Sequence, residues 1–140
     1  MTMSPTQRSM NAMRESGRRV GVVERFLGYA GPHGVRKDLF GFIDIIAIDD
    51  QEGIVGVQAC GGSGFAAHRR KIVEEKAEEA KAWLRAGGKI ELWAWCQVKM
   101  VKGGTRMVYK PRIDHITIDD ITGPPPEAPD ASEEHPTRSD

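Results

Sequence analysis

Residues 41–60 read GFIDIIAIDDQEGIVGVQAC, and they contain two apolar runs separated by a short polar stretch. Both runs, 41–48 and 53–60, are apolar and contain several β-branched residues, which favours neighbouring strands that are covered on both faces. The polar stretch between them predicts a turn. One polar side chain interrupts each run, Asp44 in the first and Gln58 in the second. A buried carboxylate is costly unless a partner or a metal compensates its charge, so Asp44 is either a satisfied core residue or part of a functional site.

The rest of the chain supplies helix and strand patterns on both sides of this pair. In chain order they predict a helix at 5–16, a strand at 18–27, a loop at 28–34, a helix at 65–86, a strand at 89–99, and one or two strands within 105–119 that break near Pro111. A helix that joins two strands of one sheet implies that those strands are parallel. The predicted fold class is therefore α/β or α+β, with a mixed β-sheet flanked by helices.

Composition predicts one domain followed by a tail. The chain has 140 residues with 39% hydrophobic and 29% charged residues, which are values typical of a globular protein. Residues 123–140 are rich in Pro, Glu and Ser and lack aromatic residues, so we expect a disordered acidic tail after a domain at 1–122. The whole chain has a formal net charge of zero; the tail holds five acids and one base, so the domain carries +4. A mildly basic domain is compatible with nucleic acid without requiring it.

The chain carries none of the sequence signals of an exported or membrane protein. Its two cysteines, Cys60 and Cys96, both lie in predicted strands, which is typical of reduced core thiols. No apolar run reaches the roughly 18 residues that a membrane-spanning helix needs, and the N-terminus lacks the apolar core of a signal peptide. The expectation is a cytoplasmic protein with no membrane partner.

The two strands bring their polar residues to one side of the sheet. If residues 41–48 and 53–60 pair as an antiparallel hairpin, Asp44 and Gln58 point to the same face near its open end. A carboxylate oxygen and an amide oxygen are ligands that Mg²⁺ accepts. Hydrolysis of a phosphodiester uses such a metal to activate water and to offset charge on the phosphate.

These residues resemble a known pattern. Asp44 followed after a strand-length gap by Gln58-Ala59-Cys60, together with RKDLFGFID at 36–44 and GVQ at 56–58, is similar to the PD-(D/E)XK nuclease superfamily, near its VRR-NUC and Holliday junction resolvase types. The resemblance covers roughly residues 6–100. It implies a restriction-endonuclease-like fold with an α-β-β-β-α-β core and a prokaryotic or phage-encoded DNA endonuclease that uses Mg²⁺ or Mn²⁺. It also makes a homodimer possible.

The sequence departs from the superfamily pattern at three positions. Ile43 replaces the proline before Asp44, which is a tolerable change. Gln58 stands where the superfamily has its second acid, and a glutamine is a weaker and neutral ligand. Cys60 stands where the superfamily has its lysine, and a thiol cannot replace an ammonium group beside the attacking water.

Other residues are candidates to restore the missing groups. Lys71, near the start of the following helix, is the candidate for a displaced catalytic lysine. Glu24 or Asp38 could supply the second carboxylate, although Glu24 also reads as a solvated strand end. The expected catalytic residues are therefore Asp44, Gln58 and Lys71, and the expected metal ligands are Asp44, Gln58 and Glu24.

A basic cluster, His68-Arg69-Arg70-Lys71, follows the glycine-rich link at 61–64. Cations in the first turns of a helix face the positive end of its dipole, so four in succession suggest an outside anionic partner. The alternative is a solvated face on which Glu74 and Glu75 pair with the cations at helical spacing. The expected nucleic-acid-binding residues are Arg36, Lys37, Ser63, His68, Arg69 and Arg70.

Two functions from different classes follow. The first is a metal-dependent DNA endonuclease, with structure- or junction-directed cleavage as one form of it. The second is a catalytically inactive protein of the same fold that binds nucleic acid or a protein partner, and Gln58 and Cys60 favour it.

Overall fold

The computed structural model of the chain describes residues 3–28 and 34–123. Its helices are α1 (Pro5–Glu15), α2 (Phe65–Arg70) and α3 (Ala77–Arg85), with a π-helical turn at Lys71–Glu75 between the last two and 3₁₀ turns at Gly62–Gly64 and Ile118–Asp120. Its strands are β1 (Arg19–Val22), β2 (Arg25–Leu27), β3 (Val35–Lys37), β4 (Ile45–Asp49), β5 (Gly53–Gly61), β6 (Lys89–Lys99) and β7 (Met107–Ile116).

Five strands form one mixed sheet in the order β1-β4-β5-β6-β7. β4 and β5 pair antiparallel, β5 and β6 pair parallel across the helical connection, and β6 and β7 form a long antiparallel hairpin. β2 and β3 pair with each other in a separate two-stranded sheet. The structure therefore confirms a mixed sheet flanked by helices, with the hairpin and the parallel crossover predicted from the sequence.

The sheet is covered on both faces. Alternation along β6 sends Ile90, Leu92 and Ala94 to the side of α2 and α3, while Trp93 packs with α1 through Met10 and Met13. Burial on both sides explains why the β4 and β5 sequences are apolar runs instead of alternating ones.

Local signals fix the position of α1. The side chain of Ser4 accepts a hydrogen bond from the backbone N–H of Gln7, and Pro5 occupies the first turn. The helix ends before Gly17, whose φ of 99° suits a glycine and stops the helical path. The apolar stripe of α1 thus lies on the sheet, and its first turn lies beside the cleft described below.

Two predicted strands differ from those observed. Residues 18–27 are not one strand, because β1 pairs with β4 in the main sheet whereas β2 leaves it to pair with β3. The strand expected from residue 41 begins only at Ile45, because Phe40 and Gly41 adopt positive φ values of 56° and 85° and form a turn. This turn holds the chain up to Asp44 outside the regular strand.

Two further corrections concern the second half of the chain. The single helix expected at 65–86 is interrupted by the π turn, in which Lys76 donates its N–H to the carbonyl of Lys71 at 2.7 Å. The break expected near Pro111 is absent, and β7 runs through that residue opposite Trp95. An edge strand tolerates a residue without an N–H group because one side of it needs no ladder bond.

An ion-pair network around the buried Glu91 ties the start of β1 to the centre of the sheet. The Arg18 guanidinium donates to Asp49 at 2.8 Å and to both carboxylate oxygens of Glu91 at 2.8 and 2.9 Å. Glu91 is only 2% exposed and also accepts from the indole of Trp93 at 2.9 Å. Burial alone would raise the pKa of Glu91, but these charge-assisted bonds outweigh it and lower that pKa.

Some sequence expectations fall on residues outside the described ranges. The predicted tail lies there apart from Gly123, and most of the loop expected at 28–34 lies there as well. Among the helices of residues 3–28 and 34–123, none combines the length and the apolar composition needed to cross a membrane.

Candidate functional site

Three carboxylates from separate segments converge near the C-terminal half of β5. Asp44 immediately precedes β4, Asp38 follows β3, and Glu24 lies in the link between β1 and β2. One carboxylate oxygen of each lies within 4.8 Å of the others. The turn at residues 40–41 and the departure of β2 from the main sheet, which the sequence did not predict, are the features that bring these segments together.

Asp44 is held rigidly and is 4% exposed. Its N–H donates to the carbonyl of Val57 at 2.8 Å, and its carbonyl accepts from the N–H of Val23 at 2.9 Å. Its Oδ2 accepts from the N–H of Ala59 and from Nε2 of Gln58, both at 2.9 Å. Burial, followed by the nearby Asp38 carboxyl, raises the pKa of Asp44 to about 8. Without a compensating cation, the surroundings of this carboxyl therefore favour its protonated form.

Gln58 faces the carboxylates through its nitrogen. Nε2 donates to Asp44 at 2.9 Å and more weakly to Oδ2 of Asp38 at 3.3 Å. Its Oε1 is the one buried side-chain oxygen or nitrogen atom within residues 3–28 and 34–123 that has no hydrogen-bond partner. An unpaired buried acceptor of this kind costs about 1–3 kcal/mol, so the site has a polar atom with unused capacity beside three acids.

Two cations flank the acids. Lys71 places Nζ at 3.6 Å from Oδ2 of Asp38, and Arg36 places Nη1 at 3.4 Å from Oε1 of Glu24. Lys71 belongs to the π turn, so the interruption of the helix occurs where the chain passes the acidic cluster. The structure thus brings the sequence-predicted Lys71 and Glu24 to the same place as Asp44 and Gln58.

The three acids, Gln58 and Arg36 line an open cleft of about 540 Å³, and Lys71 lies behind Asp38 outside that lining. The first turns of α1 and His68 of α2 also line it. Nδ1 of His68 lies 2.9 Å from the carbonyl oxygen of Gly64. A larger cavity of about 700 Å³ near Gly87 and Ile116 contains no comparable cluster of acids, so size alone does not identify the site.

Cys60 follows Gln58 on the same strand face and is 5% exposed. Burial, and to a smaller extent the charge of Asp44, raises the pKa of its thiol. A neutral buried thiol is neither a nucleophile nor a charge stabiliser. Cys60 therefore cannot supply the missing positive charge, and the ammonium group that lies beside the acids is that of Lys71.

The residues predicted to bind phosphate do not share one environment: some are paired within the fold and others are exposed. Arg69 is used within the fold, because its guanidinium pairs with Asp114 at 2.7 Å and with Asp120 at 3.2 Å. Arg70, Lys37 and Ser63 are exposed, and Arg70 forms no ion pair with any residue of the described ranges. Within the described ranges, no residue of the basic cluster at 68–71 forms an ion pair with Glu74 or Glu75.

Two features were underestimated or missed from the sequence. Asp38 was only an alternative to Glu24, yet its carboxylate lies between Gln58 and Lys71. The Arg18–Glu91 pair joins residues 73 positions apart and was not anticipated. The available signal was Glu91 itself, which interrupts the apolar run of β6 as Asp44 interrupts the run before β4.

Comparison of the chain with protein-family models, with curated proteins and with solved structures gave no match.

Proposed function

We propose that the protein is a metal-dependent DNA endonuclease with a restriction-endonuclease-like fold that hydrolyses phosphodiester bonds. The observation that carries the proposal is the meeting of three carboxylates in one cleft, with the Lys71 ammonium 3.6 Å from one of them, Asp38. Four separate segments contribute these side chains, and the helix–strand order α1, β1, β4, β5, α2–α3, β6 supports the same fold.

The residues of the cleft suit a hard divalent cation. Asp44, Asp38 and Glu24 offer carboxylate oxygens, which are the ligands that Mg²⁺ and Mn²⁺ prefer. Two cationic side chains do not neutralise three carboxylates, and a bound cation would remove the need for a proton on Asp44. Rotation of the Gln58 amide would present its unpaired Oε1 to the same ion, which is how Gln58 would become a ligand.

The chain's own groups supply orientation and charge stabilisation. A bound Mg²⁺ or Mn²⁺ would activate water and offset phosphate charge. Lys71 is positioned to stabilise the negative charge that develops on the phosphoryl oxygens, and Asp38 holds its ammonium in place. Arg36, at the rim beside Glu24, is exposed and able to hold a neighbouring phosphate. In phosphoryl transfer, such positioning and electrostatics account for most of the catalysis.

A second candidate is an inactive relative that binds nucleic acid or a protein. One observation favours it: the amide nitrogen of Gln58, not the oxygen, faces Asp44 and Asp38. In that arrangement Gln58 satisfies the carboxylates by donating hydrogen bonds and needs no metal.

We expect Lys71→Gln to slow metal-dependent nicking of supercoiled plasmid DNA by about 10²–10³-fold, because it removes a preorganised charge from the transition state. Lys81→Gln, on α3 and away from the cleft, is the matched control for loss of one lysine. The rise in melting temperature caused by Mn²⁺ should persist in both variants, since neither residue is a ligand. Equal rates for the two variants would remove Lys71 from the mechanism. If wild-type protein cleaves DNA with neither Mg²⁺ nor Mn²⁺, the second candidate, an inactive relative that binds nucleic acid or a protein, becomes the better account.

A further inference from the structure

The β6–β7 hairpin extends beyond the sheet that supports it. The parallel pairing of β5 with β6 ends at Gly61 opposite Trp95, whereas β6 continues to Lys99 and remains paired with β7. We call residues 96–110 the hairpin arm. Its four further paired residues on β6 carry it about 13 Å past the end of β5 before its turn begins.

The hairpin arm projects from the end of the sheet that holds the acidic cleft. Asp44 receives its hydrogen bond from Ala59, two residues before β5 ends. The arm also touches α1, because the guanidinium of Arg8 lies 3.5 Å from the centre of the Tyr109 ring. The first turns of α1 line the cleft, so α1 connects the cleft to the arm.

The charge of the arm is entirely positive. It contains four bases, Lys99, Lys102, Arg106 and Lys110, and no acidic residue. All four are exposed, and none of them forms an ion pair with a residue of the described ranges. Some cations elsewhere in the fold, such as Arg18 and Arg69, are paired with acids, whereas others, such as Arg70, are not paired with any residue that the structure describes. The arm differs from these isolated cations because it gathers four bases and no acid within residues 96–110. An uncompensated cationic projection is an electrostatic footprint for a polyanion.

The register distributes these cations over both faces of the ribbon. Lys110 lies opposite Cys96 in the register and therefore shares its face of the ribbon. Lys99, which pairs with Met107, is three positions along β6 from Cys96 and therefore points to the other face. Lys102 lies in the turn at the tip. A two-stranded ribbon fits the major groove of duplex DNA, where phosphates flank it on both sides. A flat anionic surface would require the charges on one face.

The geometry points to the hairpin arm as a duplex-DNA-binding element that holds the substrate backbone while the acidic cleft engages a phosphodiester. This inference rests on the proposed nuclease function for its choice of partner. It assigns the main nonspecific affinity for DNA to the arm instead of to the basic cluster at 68–71, part of which is occupied within the fold.

The test compares two variants with equal loss of charge. The first replaces Lys99, Lys102 and Arg106 with glutamine; the control replaces Arg14, Arg19 and Arg85 with glutamine. The control residues are exposed and lie away from the arm and the cleft. Binding of a fluorescently labelled 30-base-pair duplex to the full chain is followed by anisotropy in EDTA at several salt concentrations. Melting curves verify folding, and a single Lys102→Gln variant at the tip provides a milder change.

We expect the arm variant to bind at least about tenfold more weakly than wild type and its log–log salt slope to be shallower by about 2–3, because three phosphate contacts are lost. The control should change affinity less than about threefold. Equal losses in the two variants, or a wild type that does not bind the duplex, would overturn the assignment of the arm. Failure of the nuclease proposal alone would give a different result. The arm variant would still lose duplex affinity selectively, but wild-type protein would not cleave DNA.

Discussion

Replacement of Asp44 by asparagine is expected to make the metal-free protein more stable and to abolish metal-dependent cleavage. At neutral pH the wild type carries the cost of a carboxyl that is 4% exposed and lies within 4.8 Å of two other carboxylate oxygens. Asparagine keeps the shape of Asp44, accepts the bonds from Ala59 and Gln58 through its oxygen, and can donate to Asp38 through its nitrogen. We expect a gain of about 2 kcal/mol in the free energy of unfolding in EDTA.

The same substitution should remove the function. Loss of a carboxylate ligand should reduce metal-dependent cleavage by about 10³-fold or more. Asp50→Asn, an exposed residue of the β4–β5 turn, is the matched control and should leave both stability and activity near those of wild type. If Asp44→Asn instead destabilises the metal-free protein strongly, Asp44 is a structural residue and the inactive relative becomes the better account.

The pH dependence of stability provides a separate check on Asp44. Its pKa is raised in the folded protein from the ordinary 3.8 to about 8, so the folded state holds a proton that the unfolded state releases. Stability contributed by that proton is present below about pH 4 and is lost as pH rises toward 8. Urea unfolding of wild type in EDTA should therefore show this decline, whereas Asp44→Asn should show a flatter profile over the same range.

Arg18→Ala is expected to have the largest effect on folding, a loss of about 3–5 kcal/mol in the free energy of unfolding. It leaves the buried carboxylate of Glu91 without the two guanidinium bonds that compensate its charge. Arg19→Ala removes the neighbouring exposed arginine and should cost less than about 0.5 kcal/mol. Urea denaturation measures both.

A double variant separates charge from packing at this network. Arg18→Met combined with Glu91→Leu should recover much of the loss, because replacing a whole buried pair by apolar residues is far less costly than removing one partner. A loss in Arg18→Ala no larger than that in Arg19→Ala would show that the Arg18–Glu91 pair does not hold the sheet together.

Local patterns were sufficient to predict the framework of the fold. The apolar runs around the polar turn gave the β4–β5 hairpin, and the helical pattern between two strand patterns gave the parallel pairing of β5 with β6. These signals repeat at the period of a strand or helix, so they are visible in one segment at a time.

The site was predictable only in part, because its geometry depends on contacts between distant segments. Asp44 and Gln58 were identified as interruptions of apolar runs, and the hairpin register then placed them together. The position of Asp38 depends on the turn at Phe40 and Gly41, and that of Lys71 depends on the π turn. Neither turn has a strong sequence signature, and neither does a pairing across 73 residues such as Arg18 with Glu91.

The central claim is that the acidic cleft binds a divalent cation, and thermal melting of EDTA-treated, dialysed protein against increasing Mn²⁺ tests it most directly. A ligand that binds only the folded state raises its stability by about 2.7 kcal/mol at a concentration 100 times its dissociation constant. We expect a saturable rise in the melting temperature of wild type and of Asp50→Asn, and no rise in Asp44→Asn. A melting temperature that does not respond to Mn²⁺, or that responds equally in Asp44→Asn, would contradict the metal site and with it the nuclease assignment.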